Sequence, residues 1–201
     1  MARIKLATAA KRSVALLAGL VIASNAHSAG LAKSARGWAH EPTSFLGLSF
    51  DQSVTEQLPE CPEVAFLTKV SCAKSLGDTL YKMYAPPQIG VYLSDVLVDD
   101  AGSKVGMVLL TIRHTDFRDM LTLLTEKYGR PTSERVVALS TLGGAYLKGR
   151  QYTWTGTRVT LMFDEYGQKV DESSVSVTTT DYQKAVAESR KKKVGSFAGN
   201  L

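Results

Sequence analysis

Residues 89–129 constrain the fold of this chain more than any other stretch. IGVYLSDVLVDD (89–100) and KVGMVLLTI (104–112) are β-rich runs separated by the turn signal DDAGS, a predicted antiparallel hairpin. Val96 and Val98 share one face of the first run, and Val105, Met107 and Leu109 share one face of the second. Val108, Leu110 and Ile112 make the second run apolar on its other face too, which predicts a strand central in its sheet. TDFRDMLTLLTEKYGRP (115–131) follows directly, with Phe117, Met120, Leu121, Leu124 and Tyr128 on one helical face. Thr115 is the expected cap. Asp116 and Asp119 suit the first turn, Lys127 suits the last, and Gly129 then Pro131 form a stop signal. A hairpin followed by one amphipathic helix whose apolar face packs back on it predicts an α+β fold: two layers, a largely antiparallel sheet and a main helix over 115–129.

The flanking segments extend this pattern. FLGLSFD (45–51) reads as a strand and SVTE (53–56) as a capping box, which together make a short N-terminal β–α element that Pro59 limits. Residues 73–84 fit a short helix or a loop, closed by Pro86 and Pro87. ERVVALS (134–140) is expected as a strand and TLGGAYLKG (141–149) as a loop or turn. RQYTWT (150–155), RVTLMFD (158–164) and SSVSVTTT (173–180) are predicted strands of a second meander. Asp181 can cap a final helix of weak apolar content. The two hairpin regions flanking one helix suggest a loose duplication.

The N-terminus has the layout of a secretory leader. Arg3, Lys5, Lys11 and Arg12 precede the apolar run Val14–Ala23, which is too short for a comfortable membrane span. Small residues permit cleavage after Ala26 or Ser28, and no cysteine follows to accept a lipid. The expected organisation is a signal peptide over 1–28, a flexible arm over 29–43, one domain over 44–182 and a helical, basic tail over 183–201. Trp38 is the arm's one large apolar side chain and is expected to dock on the body, with a partner as the alternative. Losing the four leader cations lowers the net charge from +5 to +1, and Arg190, Lys191, Lys192 and Lys193 hold four of the remaining cations. The body therefore lacks the basic field that nucleic-acid binding requires. In an exported chain, Cys61 and Cys72 are expected to form a structural disulfide. They make no CxxC motif, and His40 and His114 lie at no metal-ligand spacing from them.

The order FLGLSFDQSVTEQLPECP, a second cysteine, VGMVLLTI, DFRDMLTLLTEKYGRPT, YTWTGTRVTLMF and SVSVTTTDY resembles small exported proteins of Gram-negative bacteria. These carry an F..LL..L..KYG.P helix followed by a tryptophan strand, and the resemblance covers most of residues 45–182. The opening β–α element also looks like that of small-domain outer-membrane assembly lipoproteins, whose lipidated cysteine this chain lacks. Neither resemblance implies a catalytic residue.

Chemistry-bearing patterns are sparse. There is no GxSxG elbow, DDAGSK lacks the alternating oxygens of a calcium loop, and LGG at 142–144 does not lead a strand into a helix. His114 sits at a strand-to-helix junction with an expected local role. The acidic pairs Asp99–Asp100, Asp164–Glu165 and Asp171–Glu172 fall at predicted turns. No catalytic, cofactor or metal residue is assigned, and no cofactor is expected. Tyr152, Trp154 and Arg158 are the candidate partner-binding set, an aromatic-plus-arginine group of the type found at interface hot spots, with core burial the competing role for Trp154. The basic run 190–193 is a weak candidate for contact with an anionic surface. These features imply a non-catalytic exported binding or envelope-assembly accessory protein, periplasmic or secreted, with another envelope protein as partner. The alternatives are a secreted inhibitor of a cell-wall hydrolase and a hydrolase using His114.

Overall fold

A computed structural model of the chain describes residues 38–140, 144 and 146–198, with side chains described as far as residue 194. Two four-stranded meanders share one antiparallel sheet. The first contains β3 (Cys72–Ser75), β4 (Leu80–Tyr84), β5 (Leu93–Asp100) and β6 (Val105–Arg113). The second contains β7 (Ser133–Ser140), β8 (Tyr146–Thr155), β9 (Val159–Asp164) and β10 (Glu172–Thr179). Their order is β3-β4-β5-β6-β10-β9-β8-β7, so the last strand of each meander meets the other at the centre. A helix precedes each meander: α1 (Val54–Gln57) the first and α2 (Phe117–Tyr128) the second. The fold is α+β, with a small N-terminal β element, β1 (Ser44–Phe45) with β2 (Leu48–Ser49), and a C-terminal helix, α3 (Thr180–Ala198).

Alternation fixes which face is covered. Directly opposed residues point to the same side of a sheet, and register places Val98, Val108, Val177, Leu161 and Trp154 in one row. Val96, Leu110, Val175, Phe163 and Tyr152 form the next. All ten are buried. The apolar face of α2 completes this core with Phe117, Met120, Leu124 and Tyr128; the Phe117 and Phe163 rings lie 4.8 Å apart. Gly129, at φ 80°, ends the helix. The carbonyls there lack helical partners, and two indoles supply them: Trp38 Nε1 donates to the Tyr128 carbonyl at 2.7 Å and Trp154 Nε1 to the Gly129 carbonyl at 2.8 Å.

Several expectations change in detail. Residues 73–84 hold the β3–β4 hairpin rather than a short helix or a loop, because the disulfide and the Glu60–Ala73 bridge seat β3 at the sheet edge. The predicted strand at 45–51 is broken into β1 and β2 by a turn through Leu46 and Gly47, both at positive φ. The strand expected at 150–155 starts at Tyr146 and pairs with β7 from Tyr146 to Thr153. Thr115 does not cap α2; a 3₁₀ turn over His114–Asp116 leads into it. The Tyr182 N–H at the start of α3 donates to Thr179 Oγ1, not to Asp181. The capping box at Ser53 and Glu56 forms. The end of the expected flexible arm is packed: Trp38 is buried against Tyr128, ring centroids 5.7 Å apart. The signal-peptide reading of 1–28 and the arm over 29–37 lie outside the described residues.

Candidate functional site

The second face of the sheet is where folding leaves polar chemistry in place. The strands that send Val, Leu and Phe into the core send serine, threonine and charged residues the other way, as SSVSVTTT in β10 shows most plainly. One row on this face runs Asp95, Thr111, Ser174, Asp164, Gln151, Arg135 across six strands. The adjacent row runs Lys82, Leu97, Leu109, Ser176, Met162, Thr153. A single groove of about 690 Å³ is lined from seven strands, with Lys82 at one end, Val137 and Leu139 at the other, and Tyr166 and Gln168 on a flanking loop. At the far end of the same face α3 crosses the strands, with the Tyr182 hydroxyl donating to Asp99 Oδ2 at 2.8 Å.

The groove's charged groups are tied to one another. Arg135 Nε donates to Gln151 Oε1 at 2.6 Å, and Gln151 Nε2 donates to Asp164 Oδ1 at 2.5 Å, a relay from guanidinium to carboxylate through one amide. Burial pushes the Asp164 carboxyl above its usual range, against the lowering effects of the Gln151 hydrogen bond and the Arg135 charge. Lys82 pairs with Asp95 at 2.9 Å, and that hydrogen bond raises the Lys82 ammonium above the ordinary lysine value. Lys169 pairs with Glu172 at 2.7 Å. Lys82, Arg135 and Lys169 thus balance Asp95, Asp164 and Glu172, and the groove presents paired dipoles among aliphatic side chains. Such a surface suits a ligand that is polar yet close to neutral.

A second surface stands at the sheet's edge. Cys61 and Cys72 form the expected disulfide, with an S–S distance of 2.04 Å and Cα atoms 5.0 Å apart. The loop they close carries a 3₁₀ turn (Ala65–Leu67) that buries Ala65 and turns Phe66 and Leu67 outward.

The residues singled out from sequence are distributed differently. Tyr152 and Trp154 share a face, but it is the covered one, with Trp154 fully buried; Arg158 lies on the exposed turn after β8. The three do not form a surface patch, because the two rings are the core's partners for Phe117 and for the end of α2. The His114 ring stacks on Tyr166 at 4.7 Å, and its Nδ1 lies 3.0 Å from the Glu165 carbonyl and 3.4 Å from Ser173 Oγ. Asp99, Asp100 and Asp164 are strand residues with partners, not the solvated turn acids expected. The Asp100 carboxylate accepts from the Val54 N–H, and burial and the Asp99 charge raise it above the usual range. Arg190, Lys191, Lys192 and Lys193 are exposed on α3. Among the described residues no cluster of three or more histidine, cysteine or acidic side chains is placed to hold a metal ion, and no helix is long and apolar enough to cross a membrane. The groove residues were missed because each stands alone in its own strand. Their signal was the polar half of each alternating pattern, and only the strand order unites them. Comparison with known proteins adds no relative: no family model, curated protein or solved structure matches the chain.

Proposed function

We infer that this chain is an exported binding or envelope-assembly accessory protein without catalytic activity, and that the groove on the open sheet face is its binding site. The observation that carries the reading is the groove itself: seven strands contribute to one cavity whose acidic groups are engaged, Asp95 by Lys82, Glu172 by Lys169 and Asp164 by the Gln151 amide that Arg135 in turn holds. Polar groups fixed in this way present oriented donors and acceptors to a ligand. The export reading draws support from the Cys61–Cys72 disulfide, which persists in oxidising compartments, and from the basic-then-apolar N-terminus.

The test fills the groove. Thr111 lies in its polar row between Asp95 and Ser174 and lines the cavity, so Thr111→Trp places an indole there and leaves the covered face untouched. Affinity isolation from envelope extract, with photo-cross-linking, is expected to recover a bound species with the unaltered protein and to lose it with Thr111→Trp. Equal recovery with both proteins refutes the groove as the site.

A further inference from the structure

The disulfide-closed loop exposes what a folded chain ordinarily hides. Phe66 is 77 % exposed, Leu67 69 %, Val70 68 % and Val64 45 %, four apolar side chains within seven residues. Folding has not left them there through slackness. The loop is held at its base by the disulfide, by Cys61 N–H to the Ala73 carbonyl at 3.0 Å and by Ala73 N–H to the Pro59 carbonyl at 2.9 Å. Ala65 anchors the 3₁₀ turn inward while its two neighbours face out. Because β3 is an edge strand, the loop stands at the margin of the molecule.

We propose that this loop is a membrane-interface anchor, inserting Phe66, Leu67 and Val70 into the outer part of a bilayer. Three observations favour hydrocarbon over a protein cleft. The first is composition. Phenylalanine, leucine and valine are the side chains that partition best into a membrane, whereas protein hot spots favour tryptophan, tyrosine and arginine and are poor in leucine and valine. The second is the backbone. A segment entering a medium without water must satisfy its own polar groups, and the tip of this one pairs three of its N–H groups locally. Leu67 N–H donates to the Val64 carbonyl and Thr68 N–H to the Ala65 carbonyl, each at 3.2 Å. The Thr68 hydroxyl serves Val70 twice, donating to its carbonyl at 3.0 Å and accepting from its N–H at 3.3 Å. The third is shape: a convex, covalently closed turn fits a soft surface that needs no matching pocket. Lys69 can extend its ammonium back to the headgroups. Glu60 and Glu63 flank the tip, so the loop's own charges give no preference for anionic lipid, and insertion rests on apolar transfer.

Phosphatidylcholine vesicles provide the test, with the full chain. Phe66→Trp places an indole at the tip, and its emission, taken as a difference from the unaltered protein, is expected to shift blue on adding vesicles and to be quenched by brominated acyl chains. In co-sedimentation, Phe66→Ser with Leu67→Ser is expected to lower the vesicle partition coefficient by about tenfold or more. Circular dichroism should remain unchanged, because neither side chain contributes to the core. Binding should persist in about 0.5 M salt, where surface charges are screened, since it is not electrostatic. No blue shift and no co-sedimentation overturns the proposal, as does vesicle binding that the double substitution leaves intact or that salt abolishes, which would assign it to the basic run on α3. A dimer that Phe66→Ser dissociates, without vesicle binding, overturns it in favour of self-association. Thr111→Trp should leave vesicle binding unaltered, so failure of the groove reading and failure of this one are separable.

Discussion

Glu41 supplies the sharpest test of how the N-terminal segment is held. Its carboxylate sits in a nest of donors at the β8–β9 turn: Oε2 accepts from the Thr157 N–H at 3.1 Å and the Thr157 hydroxyl at 2.9 Å, and Oε1 from the Arg158 and Val159 N–H groups at 2.5 and 2.7 Å. Burial would raise this carboxyl, but the four hydrogen bonds outweigh it and hold the group below the ordinary 4.5. Hydrogen bonds to a charged acceptor contribute about 1.5–3 kcal/mol each when shielded. Glu41 is only half-buried and water competes, so the set contributes about 2 kcal/mol in all. Glu41→Gln turns an amide NH₂ toward N–H donors and should cost nearly as much as Glu41→Ala, about 2 kcal/mol, a fall of roughly 4–8 °C in Tm for a chain of this size. Because the folded-state value is depressed, this stability is fully present above 4.5 and disappears as pH falls through the lower folded value. Gly156 provides an internal control. A Cβ there would collide with the Glu41 carboxylate, which is pinned and cannot move aside without losing the nest. Gly156→Ala should therefore cost about as much as Glu41→Ala, and nothing further when Glu41 is already alanine. Urea denaturation of the four proteins of this cycle, and of Glu41→Gln, at neutral pH and at about pH 3 measures every term. A Gln variant within a few tenths of a kcal/mol of the unaltered protein refutes the reasoning, as does a gap that ignores pH or additive costs for Gly156→Ala and Glu41→Ala.

Two other perturbations have definite outcomes. Replacing Cys61 and Cys72 with serine removes a short-loop cross-link worth about 3 kcal/mol in the loop-entropy model; urea unfolding should show that loss with the m-value changed little, and hydrogen exchange should rise first in β3. Tyr128 has a buried hydroxyl without a partner, and burial raises its pKa to about 12; Tyr128→Phe is expected to be neutral or stabilising by up to about 1 kcal/mol at pH 7. Since the folded value lies above the unfolded 10, the unaltered protein should lose stability as pH climbs from 10 toward 12 and the variant should lose less, which denaturation across that range measures.

The parts of the fold legible in sequence are those where a periodic pattern was long enough to have one reading. Val108, Leu110 and Ile112 marked a central strand because both neighbours, β5 and β10, bury against them. Phe117, Met120, Leu124 and Tyr128 marked the helix over it, although Leu121, counted on the same stripe, is half-buried at its margin. Short elements failed. AKSLGDTLYKMY offers too few alternations to separate a hairpin from a helix, and β3 is a strand because tertiary bridges make it one. Tyr152 and Trp154 illustrate the limit on sites. Their chemistry suits an interface, and only the sheet's order shows that the end of α2 lies over them. The groove is the converse case: Asp95, Gln151 and Asp164 are unremarkable in their own strands and become a row only when two meanders pair through β6 and β10.

That pairing also divides the labour of the molecule. Both N-terminal helices lie on one side of the sheet: Val54 of α1 and the stripe of α2 join the same core as Val98, Leu110, Phe163 and Val177. Among the described residues the opposite side is covered by the first turns of α3 and by the loop that carries Tyr166, so residues such as Thr111 and Ser174 contribute less burial to stability. Side chains free of packing duty can be selected for recognition alone. It follows that Thr111 and Ser174 should tolerate substitution at small thermodynamic cost while altering whatever the groove holds, whereas the equivalent change one residue along, at Leu110 or Val175, should unfold the chain before any effect on binding can be read. A stability scan in which the two faces cost alike would show that the groove is structural packing, and with it the binding reading would fail.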